Sequence, residues 1–150
     1  MKVENSLYHT FVQNHNGLKG TTFVEGNEGW SLGVSSSLIK APGTNPEQLL
    51  GFAIATCFNG TLRLIQRREH TAEDSQLRVR VDIVKDAVGY KFIIDAQVRM
   101  PKHSSTDAER LVSTALAECP VAKIVKQDVD VNFRVVDRFE DDETEPAYGE

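Results

Sequence analysis

The sequence holds two cysteines, Cys57 and Cys119, and these are the side chains best suited to covalent chemistry: nucleophilic attack, oxidation or disulfide formation. Their settings differ. Cys57 stands in a long apolar stretch, where a cysteine is more often a small core side chain and where burial raises a thiol pKa. Reactivity there needs a cation or hydrogen-bond donors brought from elsewhere. Cys119 immediately precedes Pro120, at the expected start of a short helix, where free N–H groups and the helix dipole favour a thiolate. The same position equally suits a plain capping residue at a helix break. Sixty-two residues separate the two thiols, and a disulfide fits only if the fold brings their helices together, which spacing cannot show. His9, His70 and His103 have no metal-ligand spacing among them and read as surface residues. Arg63 and Arg67, at i and i+4, either reach a site on the helix of Cys57 or form its solvated end.

The element that must position Cys57 opens with turn chemistry at Pro42 and Gly43. Asn45 reads as its N-cap, Pro46 sits at N1, and Glu47 puts negative charge on the first turn. A weakly polar run from Leu49 to Ile65 follows, and Arg67, Arg68, Glu69 and His70 end it. A helix of this length spans roughly 30 Å. Its middle, residues 51–58, carries no charge on any face, the pattern of a helix enclosed on all sides. Glu47 and Cys57 are ten residues apart, about 15 Å along such a helix, and cannot touch within one chain. If both serve one site, either the helix starts late or a second subunit contributes.

Residues 7–24 read as a hairpin turning at Asn16 and Gly17, residues 26–29 as a second turn, and residues 30–34 as a third strand. Residues 35–44 are a loop delivering the chain to the helix. Leu77 to Val84 alternates strictly, and 90–100 is its antiparallel return across a turn at 86–89. Ser105, Thr106 and Asp107 cap a second helix over 108–118, which Pro120 breaks; Pro120 can then be N1 of a short helix, 121–126. Residues 129–136 form the last strand. The expected architecture is α+β, an antiparallel sheet wrapped around a long central helix, in one domain over 1–138. Residues 139–150 form an acidic tail, read as partly disordered at its end.

With 40% apolar and 26% charged residues the chain has an ordinary soluble composition. A net charge of −5 argues against nucleic acid or an anionic membrane as partner. Asn59 and Arg63 interrupt the best candidate for a charge-free membrane span, and the N-terminus lacks the order of a signal peptide, so the expected location is the cytoplasm. Structural disulfides are rare there, so the cysteines read as inert core thiols or a redox pair.

The stretch GTNPEQLLGFAIATC (43–57) resembles the first cysteine motif of the OsmC/Ohr family, the osmotically induced and organic-hydroperoxide-resistance proteins. Shared are seven consecutive residues, Gly-Thr-Asn-Pro-Glu-Gln-Leu, and the cysteine ten beyond Glu47. ECPVAKIVK followed by VDVNFRVV, within 118–136, is similar to the family's Cys-Pro helix and final strand. The resemblance implies a thiol peroxidase for organic hydroperoxides without metal, haem or other cofactor. By that analogy Cys57 attacks the peroxide and becomes a sulfenic acid, Cys119 condenses with it to a disulfide, and a dithiol, lipoyl in the hydroperoxide-resistance branch, reduces the disulfide. It also implies an intertwined homodimer with sites at the subunit interface.

That branch carries an arginine in the first hairpin turn, paired with the glutamate matching Glu47. Aligned on Asn16 and Gly17, the position here is His15, with Lys19 the nearest fixed cation, and neither forks as a guanidinium does. Cys57, Cys119, Glu47 and His15 are therefore the expected catalytic set. Phe52, Phe58, Leu38 and Ile39 are the candidate walls of an apolar substrate pocket, or ordinary core. The alternative is an OsmC-like scaffold of weak or no peroxidase activity, acting as a redox-responsive or apolar-ligand-binding protein.

Overall fold

The computed structural model describes residues 4–26 and 30–140. The part of the expected turn at Asn27 and Gly29, and the tail from 141, lie outside the described residues. The chain divides into two compact units, one ending at Pro46 and one beginning at Glu47.

In the first unit β1 (Val12–Asn14), β2 (Gly20–Val24) and β3 (Ser31–Val34) form an antiparallel sheet in chain order. The first strand is much shorter than the stretch 7–13 suggests. Asn14 takes both sides of Gly17, its Oδ1 accepting from Gly17 N at 2.7 Å and its Nδ2 donating to Gly17 O at 2.9 Å. The turn is thus a wide loop around Gly17, whose φ is +60°, and not a two-residue hairpin at Asn16–Gly17. Beyond β3, Thr44 N donates to Gly33 O and Ser35 N donates to Thr44 O, bringing the chain back alongside the strand. Gly43 makes that return possible. Its φ is +119°, and a Cβ there would stand 2.9 Å from the Gly33 carbonyl oxygen.

Helix α1, Pro46–Arg68, starts where its proline and acidic first turn predict, and from Glu47 onward it belongs to the second unit. Next come β4 (Gln76–Asp86) and β5 (Gly89–Arg99), paired end to end from Gln76 opposite Arg99 to Asp86 opposite Gly89. Helices α2 (Ser105–Glu118) and α3 (Pro120–Val125) lead to β6 (Val131–Val135), which runs parallel to β5. The architecture is α+β, with one antiparallel sheet and one mixed sheet of order β4-β5-β6. The parallel pair corrects the all-antiparallel expectation. Two helices lie between β5 and β6, and such a crossover carries the chain back to the end where β5 began, so that β6 runs the same way.

The core of this unit is Phe58, Leu62 and Ile65 of α1, Val98 and Met100 of β5, Ala108, Leu111, Val112 and Ala115 of α2, with Cys119 and Ala122 at the α2–α3 junction. Ser104 caps α2, its Oγ accepting from Asp107 N at 3.2 Å, one residue earlier than the sequence suggests.

Helix α1 is long and apolar enough, by length and composition alone, to cross a membrane. One face, Ile54, Phe58, Leu62 and Ile65, is fully buried in its own unit, as in a core helix. The opposite strip is open: Ala53, Thr56 and Gly60 are exposed, as is Phe52 at 73%. The expectation of a helix enclosed on all sides is therefore not met within one chain. Sheet and helices of one unit cover a single side of it.

Candidate active site

Cys57 and Cys119 meet. Their Sγ atoms are 3.5 Å apart, with neither cysteine in a disulfide. The contact is made where the middle of α1 passes the break between α2 and α3. Cys119 is at once the C-cap of α2, its N–H donating to Ala115 O at 2.8 Å, and the N-cap of α3, with Pro120 at N1. Its extended backbone, φ −69° and ψ 122°, turns the chain so that the side chain drops into the core. A disulfide requires the sulfurs to close by about 1.5 Å more.

The two thiols are not equivalent. Cys119 is 0% exposed, whereas Cys57 is half-buried at the rim of the core. Burial pushes the Cys57 thiol up from its ordinary value, the neighbouring Cys119 adds to this, and a hydrogen bond from the Val121 backbone N–H opposes it. Among the described residues no cation contributes to that balance. Arg63 and Arg67, both on α1, are engaged by the segment between α1 and β4. Arg63 donates to Ser75 O at 2.9 Å and to Glu73 O, and Arg67 forms a fork with the Glu73 carboxylate at 2.8 and 2.9 Å.

The remaining expected residues are more dispersed. Because α1 starts at Pro46, a late helix start is excluded, and Glu47 stands nearly three turns from Cys57, about 15 Å. Glu47 instead borders an open groove of about 660 Å³ between α1 and β4, with Gly51, Phe52, Ala55, Thr56, Val79 and Val81. Neither sulfur lines it, although Thr56 is the residue before Cys57. Phe58 is fully buried, its ring centroid 4.6 Å from that of Phe133, and belongs to the core, not to this groove. In the first unit His15 is exposed, its Nε2 2.6 Å from Gln13 Oε1 and its ring edge-on to Phe23. Leu38 and Ile39 are exposed on a turn around Ser36.

His103 departs from its reading as a surface residue. Its side chain is 4% exposed, with Nδ1 3.0 Å from Asp74 Oδ1, a contact without hydrogen-bond direction, and Nε2 3.9 Å from Asp107 Oδ2. Asp74 also accepts from Gln66 Nε2 and Lys102 N. This cluster ties the end of α1 to the start of α2. The i,i+4 spacing of His103 and Asp107 was the one signal for it. Among the described residues no group of three or more His, Cys, Asp or Glu side chains is placed to hold a metal ion.

Fold and site together define an α+β protein with two facing thiols, one reachable and one sealed. Residues 39–134 match the OsmC-like protein family, and the chain belongs to that family. It is 33% identical over 96 residues to the organic hydroperoxide resistance protein OhrA of Bacillus subtilis, covering 63% of this chain and 68% of OhrA. To an organic hydroperoxide resistance protein-like protein of Staphylococcus epidermidis it is 30% identical over 137 residues, 87% of this chain and 96% of the relative. Among solved structures it resembles OhrB of Bacillus subtilis (TM-score 0.76, 26% identity, covering 87% of this chain and 100% of OhrB). It also resembles an organic hydroperoxide resistance protein of Legionella pneumophila (TM-score 0.78, 25% identity, covering 87% and 98%).

Proposed function

We propose that this chain is a thiol-dependent peroxidase that reduces organic hydroperoxides to alcohols. The observation that carries this reading is the 3.5 Å contact between a reachable thiol and a sealed one. The thiolate of Cys57 attacks the distal peroxide oxygen, the O–O bond breaks, and the alkoxide leaves and takes a proton to become the alcohol. Cys57 is then a sulfenic acid. The Cys119 sulfur displaces its hydroxyl, forming the Cys57–Cys119 disulfide and releasing water. A dithiol, lipoyl or another, is oxidised to its own disulfide and restores both thiols. The second thiol within reach captures the sulfenic acid before further peroxide can oxidise it.

The apolar part of the substrate would lie against exposed apolar side chains, with Phe52 the first candidate and Leu38 and Ile39 the others. The open strip of α1 supports a homodimer, in which a second copy covers Phe52, Ala53 and Gly60 and supplies the Glu47 that one chain keeps about 15 Å away. His15 is proposed as the cation in the place of the family's arginine. The cellular setting proposed is the bacterial cytoplasm.

The test is consumption of cumene or tert-butyl hydroperoxide with dithiothreitol as reductant. Saturable turnover that disappears in Cys57→Ser supports the peroxidase. A second reading is favoured by the raised Cys57 pKa, to which no cation among the described residues is opposed. It is an OsmC-like scaffold that senses oxidants or binds apolar ligands with little turnover. Stoichiometric disulfide formation without saturable turnover would establish that reading instead. His15→Arg, by adding a forked cation, should speed single-turnover oxidation in the peroxidase.

A further inference from the structure

The contact between Cys57 and Cys119 has a chemistry of its own, apart from any oxidation. The two Sγ atoms stand 3.5 Å apart, and neither is in a disulfide. That distance sets what a single atom inserted between them can be. A bond from a thiolate sulfur to an ion such as zinc is about 2.3 Å long, and two such bonds spanning 3.5 Å enclose an angle of about 100°. A linear two-coordinate ion such as Cu(I) needs the sulfurs about 4.6 Å apart, twice that bond length. A tetrahedral ion needs them about 3.8 Å apart, and two further ligands besides. Among the described residues no group of three or more His, Cys, Asp or Glu side chains is placed to supply those ligands. An angle near that enclosed by the sulfurs, with only two protein ligands, belongs to a pyramidal centre that brings its own third substituent. Trivalent arsenic bearing one organic group is such a centre, and it is soft, as sulfur ligands require.

Charge points the same way. Cys119 is fully buried and Cys57 half-buried, and burial pushes the Cys57 thiol up from its ordinary value. A divalent metal ion needs both thiols to give up their protons and brings its own charge into the core. An organoarsenic oxide needs no net ionisation. Two As–S bonds form, the oxide oxygen leaves with both thiol protons as water, and the arsenic stays trivalent. The product is neutral and suits an apolar surrounding.

We infer that the Cys57–Cys119 pair is a capture site for monosubstituted trivalent arsenicals, bridged through one arsenic atom. Cys57, at the rim of the core, takes the arsenical first, and the sealed Cys119 closes the ring. Closure asks for far less movement than a disulfide, whose sulfurs lie about 2.0 Å apart. Neither step involves peroxide, so the site stands whether or not the protein turns peroxide over.

The test is phenylarsine oxide added to the full chain after reduction by a phosphine, so that no competing thiol is present. Native mass spectrometry should show one phenylarsenic unit per chain with the loss of two hydrogens, and no free thiol should remain. Excess glutathione, a monothiol, should leave the adduct in place, whereas the dithiol dimercaptopropanol should strip it. Because the second As–S bond is made intramolecularly, Cys57→Ser and Cys119→Ser should each hold the arsenical at least about 100-fold more weakly. Cys119→Ala, which buries no hydroxyl, takes the place of Cys119→Ser if that variant does not fold. Two arsenicals per chain, or removal of the adduct by glutathione, would overturn the inference. So would a wild-type affinity within about threefold of the single-thiol variants, or a reduced chain that keeps both thiols free in excess phenylarsine oxide.

Discussion

Burial raises the Cys57 thiol above the ordinary value near 9.0, so little of it is ionised at neutral pH without further help. If Cys57 is the attacking residue, single-turnover oxidation should rise about tenfold per pH unit through the neutral range, levelling only above the raised thiol pKa. A rate that is flat between about pH 6 and 8 would show that a permanently charged group, supplied by a second copy, already holds the thiolate, and a profile altered in His15→Gln would implicate His15 instead. The same shift sets a stability window. Below the unfolded thiol value the neutral side chain keeps its full contribution, and above it the unfolded state ionises first and stability of the reduced protein falls. Cys57→Ser should abolish peroxide consumption, whereas Cys119→Ser should leave one fast turnover and then over-oxidation of Cys57. Sulfenic acid found by mass spectrometry on Cys119 and never on Cys57 would reverse the roles. At this scale the sequence was legible where a motif tied residue type to place, at Cys57 and Cys119. It was not legible at His103, because the partner that buries it, Asp74, comes from a distant loop. Nor could Phe58 be told from pocket wall without knowing that Phe133 would cover it.

Along the elements, the limits of α1 could be read from Pro46 and the charged end at Arg67 and Arg68, and the β4–β5 pair from its alternation. The direction of β6 could not, since side-chain period is the same in parallel and antiparallel strands. The cap of α2 was blurred because Ser104, Ser105 and Thr106 are all good caps, and only the Ser104 Oγ bond chooses among them. Two substitutions test these elements. Phe58→Ala removes a ring fully buried against Phe133 and should cost about 3–5 kcal/mol in denaturant unfolding. Gly43→Ala places a Cβ against the Gly33 carbonyl at a φ that L residues rarely adopt, and should cost at least about 1 kcal/mol. An unchanged midpoint for Gly43→Ala would mean that the close return of the chain beside β3 does not exist in solution.

For the molecule as a whole, the open strip of α1 predicts self-association. Sedimentation should show a dimer at micromolar concentration, and Phe52→Asp should weaken it by placing charge on that strip; a stable folded monomer of the unaltered chain would refute the proposed assembly. The meeting of Cys57 and Cys119 also has a mechanical side. The two sulfurs lie 62 residues apart in sequence, and joining them would staple the middle of α1 to the α2–α3 junction. A closed loop of that length removes about 4 kcal/mol of chain entropy from the unfolded state. The oxidised protein should then melt several degrees above the reduced one, a difference that dithiothreitol erases and Cys119→Ser never shows. Heat resistance would thus serve as a gauge of the molecule's recent exposure to oxidant, readable without following any substrate. By the same cycle, unfolding the chain would make the bridge easier to reduce, so the folded frame itself helps set how strong a reductant must be to reopen it.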